Sequence, residues 1–117
     1  MASPKLLGLS GSLREASFNT KLLNVAVAAF GDADYTQGNL RLPLYDGDVE
    51  TATGIPQSVQ TLADQIAVAD AVVISSPEYN KSISGVLKNA LDWVSRTQGH
   101  PWADKPVAIM SATAGRS

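Results

Sequence analysis

The chain has no cysteine, a single histidine and 6% aromatic residues in a length of 117. Without thiols there is no disulfide framework, no thiolate nucleophile and no soft metal ligand, which fits a reducing compartment. A cytoplasmic location is expected. His100 lies between Gly99 and Pro101 with no second ligand to complete a metal site, so it reads as a solvated loop histidine. No apolar run approaches the roughly 18 to 20 residues of a membrane span. The opening Met-Ala-Ser-Pro-Lys runs straight into strand-like sequence, without signal-peptide architecture. Charge of one sign is lacking too: nine Lys and Arg against eleven Asp and Glu leave a net charge of −2. The cations are scattered, which argues against nucleic acid as a partner.

What is present points to an anion. The segment Gly11 to Asn19, GSLREASFN, follows the apolar run Leu6, Leu7, Gly8, Leu9 and precedes helix-like sequence. At a helix start several backbone N–H groups lack intrahelical partners, and the macrodipole adds partial positive charge. Ser10, Ser12 and Ser17 can donate hydroxyl hydrogen bonds, Arg14 can form a bidentate pair, and Asn19 can cap the helix or donate its amide. Gly11 permits a turn that a Cβ would obstruct. A loop that merely caps its helix is the competing reading of this segment alone.

The chain reads as one domain, residues 1–117, with strands and helices alternating. Lys5 to Ser10 is an unbroken apolar run, as a strand covered on both faces should be. Thr20 to Phe30 carries Leu22, Leu23, Val25, Ala26, Ala29 and Phe30 at helical spacing, with Gly31 as its stop. Tyr35 to Leu42 is a weak strand, and Pro43 to Gly54 a polar connection. A second helix begins near Pro56 and places Val59, Leu62, Ala63, Ile66 and Ala67 on one face. Ala71 to Ser75 is a buried strand ended by Pro77. A third helix presents Val86, Leu87, Ala90, Leu91 and Val94 inward, and Pro106 to Ser111 is the fourth strand. Such alternation means βαβ units and parallel strands, whose ligands bind beyond the strands' carboxyl ends. The loops Gly11 to Asn19, Pro77 to Ser84 and Ala112 to Ser117 should therefore meet at one edge of the sheet.

Several phosphate sites are excluded by residue. A P-loop needs a lysine followed by Ser or Thr, whereas Gly11 is followed by Ser12, Leu13 and Arg14. The dinucleotide fingerprint needs three spaced glycines, and this turn has Gly8 and Gly11. A phospho-receiver aspartate is replaced by Ser75, Ser76 and Pro77. The second loop, PEYNKSISG from Pro77 to Gly85, combines a proline, a carboxylate, an aromatic, an amide and a glycine, a set suited to bordering a flat heteroaromatic ring. A solvated turn with an Asx motif at Asn80 is its alternative.

Three motifs carry a family resemblance: GSLREASFN, LPLYD (Leu42 to Asp46) and above all PEYNKSISGVLKNALDW (Pro77 to Trp93). The chain resembles the NAD(P)H-dependent FMN reductases, which include quinone and chromate reductases, from about Lys5 to Gly115. That resemblance implies a flavodoxin-like three-layer α/β sandwich with a parallel sheet of strand order 2-1-3-4. It implies that Ser12, Arg14, Ser17, Phe18 and Asn19 hold the FMN phosphate. Pro77, Glu78, Tyr79 and Asn80 would border the isoalloxazine, with Ser82 close by, and Ser111 to Gly115 would pass near the ring and ribityl chain. The implied reaction is ping-pong: NADPH or NADH reduces FMN, leaves, and is replaced by a quinone or similar oxidant. FMN does the hydride chemistry, so no acid–base catalytic residue is expected. Homo-dimers or homo-tetramers are implied as well.

Two departures qualify the resemblance. Ser84 stands where these proteins often place a proline, which implies a looser loop. The family also runs to greater length, so the fifth strand and last helix of the fold are expected to be missing from this C-terminally incomplete chain, leaving a sheet edge unpaired. A flavodoxin-type electron carrier and an inactive fragment are the competing functions. Among lesser signals, Trp93 reads as packing and Trp102 as an interface or packing residue. Asp46, Asp48 and Glu50 read as solvated charge rather than a cation site, and Arg116 as a mobile terminal cation.

Overall fold

In a computed structural model the described residues are 3–13, 18–76 and 84–111. Four parallel strands form one sheet: β1 (Lys5–Ser10), β2 (Asp34–Gln37), β3 (Ala71–Ser75) and β4 (Val107–Met110). Their order is β2-β1-β3-β4, as the flavodoxin-like reading requires. The register pairs Leu6 with Ala71 and Ser10 with Ser75, so β1 and β3 end side by side. Chain connections leave β1 toward β2 and leave β3 toward β4. The gap between the carboxyl ends of β1 and β3 is therefore the topological switch point, where such sheets place ligands.

Helices cover both faces. α1 (Phe18–Phe30) packs on β1 and β3, while α3 (Gln57–Val68) packs on β1 and on α4 (Gly85–Ser95). The core joins Leu7, Leu9, Val72 and Ile74 of the sheet to Leu62, Ile66, Leu87 and Val94 of these two helices. In α3, Val59, Leu62, Ala63 and Ile66 are buried on the expected stripe, but Ala67 is exposed. α1 departs further: Leu23 is fully buried, whereas Val25 and Phe30 are more than half exposed. Apolar spacing alone did not fix which of its residues face the sheet. Likewise β4 is apolar yet open to solvent, with Ile109 72% exposed, because no described helix packs closely on its faces and no described strand pairs with its outer edge.

Element bounds differ from the sequence reading in several places, β4 being shorter by one residue at each end than Pro106 to Ser111. α1 starts at Phe18, two residues before Thr20. β2 runs from Asp34 and stops at Gln37 rather than Leu42; the Gly38 N–H still donates to the Gly8 carbonyl at 2.8 Å, and a Cβ there would lie 2.6 Å and 2.9 Å from the Leu9 and Leu62 side chains. The polar connection contains a short helix, α2 (Gly47–Thr53), capped by the Asp46 carboxylate accepting from the Asp48 N–H at 2.9 Å. Asp46 is thus a cap rather than merely solvated charge. Pro56 occupies the position just ahead of α3. No helix among the described residues is long and apolar enough to cross a membrane. Among the same residues, no group of three His, Asp or Glu side chains could hold a metal ion.

The LPLYD segment is clasped to α4. Trp93 is fully buried and its Nε1–H donates to the Pro43 carbonyl at 2.7 Å, alongside Asn89 Nδ2 at 3.0 Å. The Asn89 amide oxygen accepts from the Tyr45 N–H at 2.8 Å, and the Tyr45 ring meets Trp93 edge-on with centroids 4.8 Å apart. Tyr45 in turn donates its hydroxyl to Glu50, which also takes both oxygens to Arg96 Nε at 3.0 Å and 3.1 Å. The hydrogen bond from Arg96 is the main force holding the Glu50 carboxyl below its ordinary range, and the Tyr45 hydroxyl adds to it.

A carboxyl group whose pKa is lowered by folding stabilises the fold above its unfolded pKa, and that contribution is lost as pH falls through the folded value. Melting curves of the parent and of Glu50→Gln should therefore differ at neutral pH and converge on acidification below the usual carboxylate range. Parallel curves at all pH values would show that the clasp carries no pH-linked stability.

Candidate functional site: the carboxyl ends of β1 and β3

The chain leaves β1 at Ser10 and turns at Gly11, which is buried. The Gly11 N–H donates to the Ser75 carbonyl at 2.7 Å, prolonging the ladder by one bond beyond the strands. A Cβ built on Gly11 would stand 2.4 Å from the Ser76 Oγ and 2.9 Å from the Ser84 Oγ, well inside contact distance. Glycine is needed here for close approach between the two strand ends.

A set of hydroxyls surrounds this crossing. Ser10 is 5% exposed, and its Oγ lies 2.9 Å from the Thr20 Oγ1 on α1 and 3.3 Å from the Ser12 carbonyl. The Ser75 Oγ donates to the Asn19 Oδ1 at 3.0 Å, both side chains being buried. Asn19 therefore does not cap α1. It lies one residue inside the helix and uses its amide oxygen to fasten α1 to the end of β3. The Ser76 N–H continues to the Met110 carbonyl of β4 at 3.0 Å, so three strand ends are held in line.

Ser84 closes the set from the other side. Only 2% exposed, it caps α4 by accepting from the Leu87 N–H at 3.1 Å and donates its own hydroxyl to the Gly11 carbonyl at 2.8 Å. The looser geometry expected of a serine at this position is not what the residue itself shows. One further cation was missed in the sequence: Arg41, beyond β2, donates from Nη2 to the Leu13 carbonyl of the first loop at 2.6 Å. Nothing in the local sequence marks it, because its partner is a backbone carbonyl 28 residues earlier in the chain.

Of the residues expected to form the site, Ser10, Ser12, Asn19 and the start of α1 at Phe18 come together at the β1 and β3 ends, and Ser111 directly follows β4. Arg14, Ser17, Pro77, Glu78, Tyr79, Asn80, Ser82 and Gly115 lie outside the described residues. The described part holds the N-terminal end of a helix and a nearby guanidinium, with no carboxylate, while the buried serine hydroxyls brace the strand ends through bonds to one another, to Asn19 and to the backbone. A helix start and a guanidinium suit an anion such as a phosphate.

Residues 4–117 match the family model described as NADPH-dependent FMN reductase. The chain belongs to this family. An NAD(P)H-dependent FMN reductase of Pseudomonas aeruginosa is 45% identical over 114 residues, covering 96% of this chain and 61% of the relative. A quinone reductase of Escherichia coli K12 is 43% identical over 114 residues, covering 95% and 61%. Among solved structures, a flavoenzyme NAD(P)H:(acceptor) oxidoreductase from Paracoccus denitrificans superposes with a TM-score of 0.82 at 36% identity, covering 96% of this chain and 62% of the other. The chain thus spans about three fifths of the length of the curated relatives it matches.

Gly11→Ala should be destabilising by about 1–3 kcal/mol, the usual range for forcing a methyl into packed surroundings. Urea unfolding measures this. Unchanged stability would mean that β1 and β3 can part at this point without loss, contrary to the close crossing seen here.

Proposed function

We propose that this chain is the FMN-binding domain of an NAD(P)H-dependent oxidoreductase that reduces quinones or similar small oxidants. The observation that carries the proposal is the hydroxyl-lined crossing at Gly11, set at the switch point of a flavodoxin-like sheet. Family membership supports it, as does similarity to relatives named FMN reductase and quinone reductase.

In this reading Ser10, Ser12, Phe18 and Asn19, with Arg14 and Ser17, build the phosphate end of the site. Ser10 and Asn19 act chiefly by bracing: one fixes the turn against Thr20, the other fixes α1 against Ser75. The helix start then meets the phosphate with N–H groups already oriented, so little ordering accompanies binding. Pro77, Glu78, Tyr79, Asn80 and Ser82 are assigned to the ring, and Ser111 and Gly115 to its far border. The chemistry supplied by bound FMN is acceptance of a hydride from NADPH or NADH and its delivery to an oxidant, the two substrates using the site in turn. The protein's part is to hold the ring, keep one face open and stabilise charge on the reduced form. No side chain is assigned as acid or base. Homo-dimers or homo-tetramers of a cytoplasmic enzyme belong to the same proposal.

The visible spectrum of the purified protein with FMN is the direct test, followed by NAD(P)H oxidation in the presence of a quinone. Flavin absorbance that stays with the protein and turnover needing both substrates are expected. Arg14→Ala should weaken FMN binding by about 1.5–3 kcal/mol, the range for a lost charge-assisted hydrogen bond. A protein that stays colourless and inactive with added FMN would overturn the proposal, and rapid electron delivery only to a partner protein would indicate a carrier instead.

A further inference from the structure

The Ser84 hydroxyl is used completely. It donates to the Gly11 carbonyl at 2.8 Å, and it accepts from the Leu87 N–H at 3.1 Å and from the Ser76 hydroxyl at 3.3 Å. One donor and two acceptor positions are all that a serine hydroxyl has. The residue is 2% exposed, so water does not compete for these bonds. A helix cap needs only the bond from Leu87. The donation to Gly11 reaches 73 residues back in the chain, to the turn that opens the first loop.

That carbonyl belongs to the peptide whose other end is the Ser12 N–H. A trans peptide is planar, with its C=O and N–H pointing in opposite directions, so fixing one fixes the other. The Ser12 N–H is directed toward the Ser10 Oγ at 3.4 Å, a longer and weaker contact. The peptide before it is fixed as well, by the Gly11 N–H on the Ser75 carbonyl. Orientation of the Gly11–Ser12 peptide therefore depends on a side chain at the start of α4.

We infer that Ser84 is a positioning residue for the phosphate end of the site, acting through the Gly11 carbonyl. The inference rests on the FMN reading above and adds a residue that reading does not need. With the hydroxyl in place, the Gly11–Ser12 peptide beside the start of α1 is oriented before ligand arrives. Without it, that peptide is oriented only on binding, and the benefit of having a phosphate on the ligand shrinks.

The measurement is the ratio of riboflavin to FMN dissociation constants, by fluorescence titration, in the parent chain and in Ser84→Ala, Ser84→Gly and Ser84→Thr. Riboflavin lacks the phosphate, so the ratio isolates the phosphate contribution from general damage to the fold. Loss of one hydrogen bond of this kind should reduce the ratio about tenfold in the alanine and glycine variants. Threonine keeps the hydroxyl and should keep the ratio. Glycine is tolerated at a helix N-terminus better than alanine, so it provides a folded variant if alanine unfolds. A lowered melting temperature with an unchanged ratio would reduce Ser84 to a cap and overturn the inference while leaving the FMN reading intact. A parent chain that binds neither flavin would overturn both.

Discussion

Nothing larger than hydrogen fits at residue 11, and the arrangement of the site follows from that. The Gly11 backbone is held on two sides, by Ser75 through its N–H and by Ser84 through its carbonyl. A side chain would press into Ser76 and Ser84 together, driving the ends of β1 and β3 apart. α1 is fastened to the same place by Ser10 with Thr20 and by Asn19 with Ser75. The helix start, the first turn and the cap of α4 are thus parts of one hydrogen-bonded unit. Small hydroxyl residues are suited to this role, because they satisfy buried backbone groups without filling the space between strands.

A second unit holds α4 from the other end. Trp93 and Asn89 converge on the Pro43 carbonyl, Tyr45 packs on Trp93, and Glu50 joins Tyr45 to Arg96. LPLYD therefore serves the fold of α2 and α4, and none of its described bonds reaches the β1 and β3 ends. Truncating Trp93 would remove a fully buried ring and leave a carbonyl with one donor fewer, which places it among the most consequential core positions. A rigid α4 matters to the site because Ser84 stands at its first turn.

Local pattern carried the architecture well. Unbroken apolar runs marked β1 and β3, and helical spacing with a following strand marked α3 and α4. From alternation alone came parallel pairing, whereas the expected meeting of the loops 11–19, 77–84 and 112–117 falls largely outside the described residues. What could not be read locally were contacts between residues distant in sequence. Asn19 has the chemistry of a cap, and only the position of Ser75 directs its side chain elsewhere. Arg41 resembles any exposed cation until its bond to the Leu13 carbonyl is seen. The short α2 was hidden by its composition, since its seven residues bury nothing and present no apolar face. The half of the site assigned to the ring rests on the PEYNKSIS motif and lies outside the described residues.

Where FMN binds is tested most directly by backbone amide chemical shifts recorded by NMR as FMN is added to the isotopically labelled chain. Large shifts at Gly11, Ser12, Leu13, Ser76 and Ser84, with little change at Glu50, Arg96 and Thr97, are the predicted result. Shifts confined to the Glu50 and Arg96 side, or none anywhere at saturating FMN, would contradict an FMN site at the ends of β1 and β3.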